Sequence, residues 1–128
     1  VTGTNKANRV SEIMNNEELI HIITHRVAAK AKKLFGDRLT SVILYGSYAR
    51  GNYDTESDVD IMVLVDIRQD EYRHYRDEIT ALSSGLSLEY DITVSIKVKD
   101  SVFFSQYKDS VPFYKNVLND GVPIDVGL

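Results

Sequence analysis

Apolar positions recur with two different periods along this chain. In "NNEELIHIITHRVAAKAKKLFGDR", Leu19, Ile23, Val27, Ala31 and Leu34 follow the spacing of one helix face. Asn16 is the expected N-cap, Glu17 and Glu18 stand in the first turn, and Gly36 is placed for the C-cap. "LTSVILYG" is β-branched and apolar and predicts a strand; "VDIMVLV" predicts a second. "RQDEYRHYRDEITALSSG" predicts a helix, with Tyr72, Tyr75, Ile79 and Leu82 at helical spacing. "LSLEYDITVSIKV" predicts the third and longest strand, on which Ile92, Val94, Ile96 and Val98 share a face. "SVPFYKNVLNDG" predicts a short helix, with Pro112 near its first turn and Gly121 as its stop.

The expected order is helix, strand, strand, helix, strand, helix. That is an α/β or α+β domain, a small mixed sheet flanked by helices. Residues 1–10 are expected to form a flexible segment ahead of one domain spanning 11–128.

Composition narrows the chemistry. The 128 residues are 43% hydrophobic and 27% charged, as in an ordinary globular domain. A formal net charge of -4 argues against coating nucleic acid, so no stable nucleic-acid binding is expected. With no cysteine, disulfides, thiolate catalysis and cysteine-ligated zinc are excluded. No apolar run approaches the roughly 18 residues that span a bilayer. The opening "VTGTNKANR" is polar and has no signal-peptide pattern, so the expected location is cytoplasmic.

The stretch "LYGSYARGNYDTESDVDIMVLV" carries the chemistry. Aspartate is a poor strand former, yet Asp58 and Asp60 open an apolar strand. Side chains at i and i+2 share a face, about 6.5–7 Å apart. At ~6 Å and an effective dielectric near 20, two carboxylates repel by roughly 3 kcal/mol. A cation between them removes that cost, and oxygen-only ligands favour a hard ion such as magnesium. Gly46 and Ser47 directly follow the first strand. Glycine lets a ligand approach the backbone, and a short helix starting at Ser47 would offer N–H groups and a hydroxyl to phosphate. Arg50 adds a positive charge nearby. Phosphate donors on one loop and carboxylates on the next strand suit a nucleoside triphosphate with magnesium. A third carboxylate would complete a two-metal site. Asp91 in "LEYDITV" is the candidate if the third strand lies beside the second, and Glu89 is its rival.

Gly46-Ser47, ten intervening residues, then Asp58-Val59-Asp60 resembles the signature of the nucleotidyltransferase superfamily related to DNA polymerase beta. "GSYARG", the short chain and the tail "VPFYKNVLNDGVPI" resemble its minimal nucleotidyltransferase branch of MntA-like antitoxins, over roughly residues 17–124. The resemblance implies the nucleotidyltransferase fold. It implies that Gly46 and Ser47 hold the triphosphate, with Arg50 also on phosphate. It implies that Asp58, Asp60 and a third acid, Asp91, bind magnesium as two ions, the third acid assisting deprotonation of the acceptor. ATP would be the substrate, and a partner HEPN-type toxin RNase would receive AMP. Two alternatives stand beside this reading. One is a nucleotidyltransferase acting on a small molecule such as an aminoglycoside, which would need an acidic acceptor pocket. The other is a non-catalytic antitoxin or binding module.

Other signals are weaker. "DTESDVD" resembles a calcium loop, but Val59 and Val65 stand where glycine and glutamate are required. His21 and His25 have metal-compatible helical spacing, but Ile22 replaces the glutamate of zinc proteases. They and His74 are expected to be structural. Tyr48 and Tyr53 are near enough to the turn to stack a base.

Overall fold

The computed structural model describes residues 15–126. The segment 1–10, expected to be flexible, and the outermost residues of the expected domain lie outside the described residues.

Helix α1 spans Asn16–Phe35. Its cap is Asn15, one residue earlier than expected, whose side chain accepts the Glu18 N–H at 2.8 Å. Such a cap contributes about 1 kcal/mol. Gly36, at φ +57°, ends the helix and donates its N–H to the Lys32 carbonyl. Leu19, Ile23, Val27 and Ala31 are buried as the spacing predicts, and Phe35 rather than Leu34 completes the stripe. Fully burying side chains such as Ile23 and Val27 contributes about 1.5–3 kcal/mol each.

Strand β1 (Leu39–Tyr45) is followed by a four-residue helix, α2 (Ser47–Arg50), and by strand β2 (Val59–Val65). Helix α3 (Arg76–Tyr90), strand β3 (Val94–Asp100), helices α4 (Ser101–Tyr107) and α5 (Pro112–Asp120), and strand β4 (Val122–Ile124) complete the described chain. The sheet order is β3-β2-β1-β4. β2 pairs antiparallel with β1 and parallel with β3, so the sheet is mixed. Among the described residues no helix is long and apolar enough to cross a membrane.

Alternation sends the strand residues to two apolar layers. Val42, Leu44, Val59, Ile61 and Val63 pack with Ile23 and Val27 of α1 and with Ile79 and Leu86 of α3. Ile43, Tyr45, Met62 and Leu64 face the other way, onto Phe104 of α4 and Tyr114 and Val117 of α5. Asp60 lies on this second side, in the same alternating row as Met62 and Leu64.

The third strand is shorter than expected. Residues 86–90, read as its first half, belong to α3, which runs straight through Gly85. Ile79 and Leu86 are buried on the helical stripe, whereas Leu88, which an alternating strand would bury, is 78% exposed. Two serines fix the junction. Ser87 Oγ donates to the Ser83 carbonyl and accepts the Val94 N–H at 2.9 Å, while Ser83 Oγ donates to the Val94 carbonyl. Asp91 then ends the helix in the left-handed region, at φ +53° and ψ 45°. Aspartate tolerates that conformation better than most residues. Helix α5 matches expectation, with Pro112 in its first turn and Gly121 after its last residue. Helix α4 was not predicted. It is nucleated by Asp100, whose carboxylate accepts the Val102 and Phe103 N–H groups.

Candidate active site

The site starts at the end of β1. Gly46 has φ +77° and ψ -159°, a conformation that glycine alone adopts cheaply. Its carbonyl accepts the Ala49 and Arg50 N–H groups at 3.1 Å, which closes the turn into α2. The first N–H groups of α2 have no partner within the helix. A side chain on Gly46 would collide with the Asp60 carboxylate. The register explains why: Tyr45 is paired with Asp60 across β1 and β2. The glycine-serine turn and the acid-bearing strand are thus in direct contact.

Asp60 is half-buried, and Asp58 is exposed just ahead of β2. Burial, and then the Asp58 charge, push the Asp60 carboxyl above the usual carboxylate range, while Lys97 and Arg50 act the other way. A half-buried acid next to a like charge is the environment a hard cation relieves. Two carboxylates beside a residue without a side chain fit one divalent ion.

A cavity of about 340 Å³ opens beside Asp60. Tyr45, Gly46, Ser47 and Arg50 line one side, and Phe113 and Asn116 of α5 line the other. Tyr45 is 8% exposed, and its hydroxyl has no hydrogen-bond partner among the described residues. Burial first, and then the Asp60 charge, raise its pKa, so it remains a protonated donor. Arg50 approaches Asp120 at 3.9 Å with both side chains well exposed, a weak pair that leaves the guanidinium able to turn to a phosphate.

Asp91 does not join this group. It caps α3, is exposed, and precedes the start of β3 rather than lying within it. Glu89 is on α3 and pairs with Arg26 of α1. Among the described residues no cluster of three or more His, Asp or Glu side chains could hold a metal. The expected triad fails because the helix continues through Tyr90, so Asp91 ends α3 instead of lying on β3, which begins at Val94. The β3 residue beside Asp60 is Ser95, and the next on the same face is Lys97. Sequence reasoning missed Tyr45, Lys97 and Asn116. Only Tyr45 had a local signal, being a hydroxyl-bearing residue next to the turn.

Tyr48 and Tyr53 stack on each other, with ring centroids 4.4 Å apart and planes at 15°. Each therefore covers one face of the other. The His21 and His25 rings are 3.9 Å apart, and a His25 ring nitrogen meets the His21 carbonyl at 2.8 Å.

Comparison with known proteins identifies the family and the fold. Residues 25–122 match the nucleotidyltransferase domain family. Two proteins of Methanocaldococcus jannaschii, each named "Putative protein adenylyltransferase", are similar in sequence. One is 32% identical over 108 residues, covering 84% of this chain and 96% of the relative. The other is 40% identical over 78 residues, covering 61% of this chain and 77% of the relative. A solved minimal nucleotidyltransferase shares the fold at a TM-score of 0.52 and 21% identity, covering 88% of this chain and 98% of its own. The chain belongs to the nucleotidyltransferase domain family.

Proposed function

We propose that this protein transfers AMP from ATP to a hydroxyl group on a partner protein, with magnesium held by Asp58 and Asp60. The observation that carries this reading is the contact between the Asp60 carboxylate and the Gly46 backbone. It brings the ligands for a cation within reach of a turn suited to phosphate. The names of the two relatives support adenylate as the group and protein as the acceptor.

Each residue then has a task. Gly46 admits the triphosphate to the backbone, and the Ser47 hydroxyl and N–H donate to it. Arg50 leaves its weak pair with Asp120 to neutralise phosphate charge. The Tyr45 hydroxyl donates into the same cavity. Bound magnesium would polarise the phosphate oxygens and offset the charge that develops on them. The acceptor oxygen forms a bond to the α-phosphorus. The bond from that phosphorus to the bridging oxygen breaks, pyrophosphate leaves with the electron pair, and the hydroxyl proton passes to water. Positioning and electrostatics supply most of the rate.

The partner in this reading is a HEPN-type toxin, by the resemblance to the minimal branch, and ATP as donor fits a cytoplasmic setting. An aminoglycoside acceptor is disfavoured on one side of the site, where Lys97 and Lys99 line the adjoining cavity with no acid among its walls. A polycationic substrate would meet those two ammonium groups without a carboxylate to offset them. A contact-only antitoxin is disfavoured because the half-buried Asp60 beside the Asp58 charge costs stability without serving contact.

The test is incubation with magnesium and ATP labelled at the α-phosphate, with and without the product of the neighbouring gene. Label on that protein, absent with Asp58→Asn and Asp60→Asn, is expected. Label on an added aminoglycoside alone, or a stable complex without transfer, would overturn the proposal.

A further inference from the structure

A two-metal transferase site needs carboxylates enough to hold ions about 3.5–4 Å apart. In this fold the strand that could supply the additional one is β3, which pairs in parallel with β2. The register puts Ser95 beside Asp60 and Lys97 beside Met62. In a parallel pair, neighbouring residues share a face, so Ser95 and Lys97 lie on the face that carries Asp60. Neither residue is an acid, and no cluster of three acids or histidines forms among the described residues.

Lys97 is close enough for its charge to act on Asp60. It lines a cavity of about 300 Å³ with Lys99, Phe103 and Tyr114. Phe113 borders both this cavity and the one at Asp60. Lys97 therefore stands on β3 one alternation beyond Ser95, on the face from which a third carboxylate would reach a second ion.

We propose that this site binds a single divalent cation, and that Lys97 supplies the positive charge that a second ion would otherwise bring. The inference rests on the nucleotidyl-transfer reading and deepens it. Two carboxylates, triphosphate oxygens and water complete the shell of one hard ion. A second ion would meet a serine hydroxyl and an ammonium, which repels it. The Lys97 side chain is long and mobile, and its point charge can follow the phosphate as the bridging bond breaks.

The test counts ions without turnover. Manganese binding is measured by electron paramagnetic resonance on the full chain with α,β-methylene-ATP, whose α–β linkage cannot be cleaved. One manganese per chain is expected for the wild type, and two for a Ser95→Asp/Lys97→Met variant whose circular dichroism is unchanged. Two ions on the wild type would overturn the proposal and leave the transfer reading intact. One ion on the folded variant would also overturn it. No ion on the wild type would overturn both.

Discussion

The Asp60 carboxylate lies against the α-carbon of Gly46, with no side chain between the turn and the strand. Antiparallel pairing of β1 and β2 sets this contact, and the left-handed Gly46 backbone makes room for it. Replacing Gly46 by alanine adds both strain and collision. Strain alone costs about 1–3 kcal/mol. Urea denaturation of Gly46→Ala is expected to show at least that loss, and transfer is expected to fall about a hundredfold or more. Adding Asp60→Gly to Gly46→Ala should return part of the stability and none of the activity.

The raised Asp60 pKa makes the stability of the ion-free protein pH-dependent. The folded state holds this proton more tightly than the unfolded chain. Its contribution is full below the unfolded pKa and is lost as pH rises through the folded value. Thermal melts in a chelator should therefore show Asp60→Asn more stable than wild type at neutral pH, with the gap closing on acidification. Magnesium should narrow the neutral-pH gap by stabilising only the wild type.

Asp91 holds a helix end, not a metal. Asp91→Gly should leave the melting temperature equal or slightly higher, because glycine adopts the left-handed cap without strain. Asp91→Asn should keep transfer within about twofold of wild type, since the residue carries no catalytic charge. A hundredfold loss in a steady-state assay of Asp91→Asn would place the acid back in the site.

Ser87 fixes where β3 begins. Ser87→Ala strands the Val94 N–H, and a buried unpaired donor costs about 1–3 kcal/mol. Hydrogen exchange should show faster opening of the Val94 amide, with little change at Ile61 in the central strand.

Much of this site was legible in the sequence because its parts are local. Gly46, Ser47, Asp58 and Asp60 lie at the ends of two strongly apolar strands, and their chemistry follows from short spacings. The end of α3 was not legible, because Leu86, Leu88 and Tyr90 also fit an alternating strand over a few residues. Only burial of Leu86 and exposure of Leu88 separate the two periods. The third acid was misplaced for the same reason. Lys97, Asn116 and the role of Tyr45 depend on strand register and on how α5 packs across the sheet, which no local pattern contains. Strand β4 has three residues, Val122–Ile124, and exists through its pairing with β1.

The most direct test is the intact mass of the neighbouring gene's product after incubation with ATP, magnesium and this protein. A gain of one or more adenylate groups with wild type, and none with Asp60→Asn, is the expected result. The same gain with Asp60→Asn, or no gain with wild type, would contradict adenylate transfer by the Asp58–Asp60 pair.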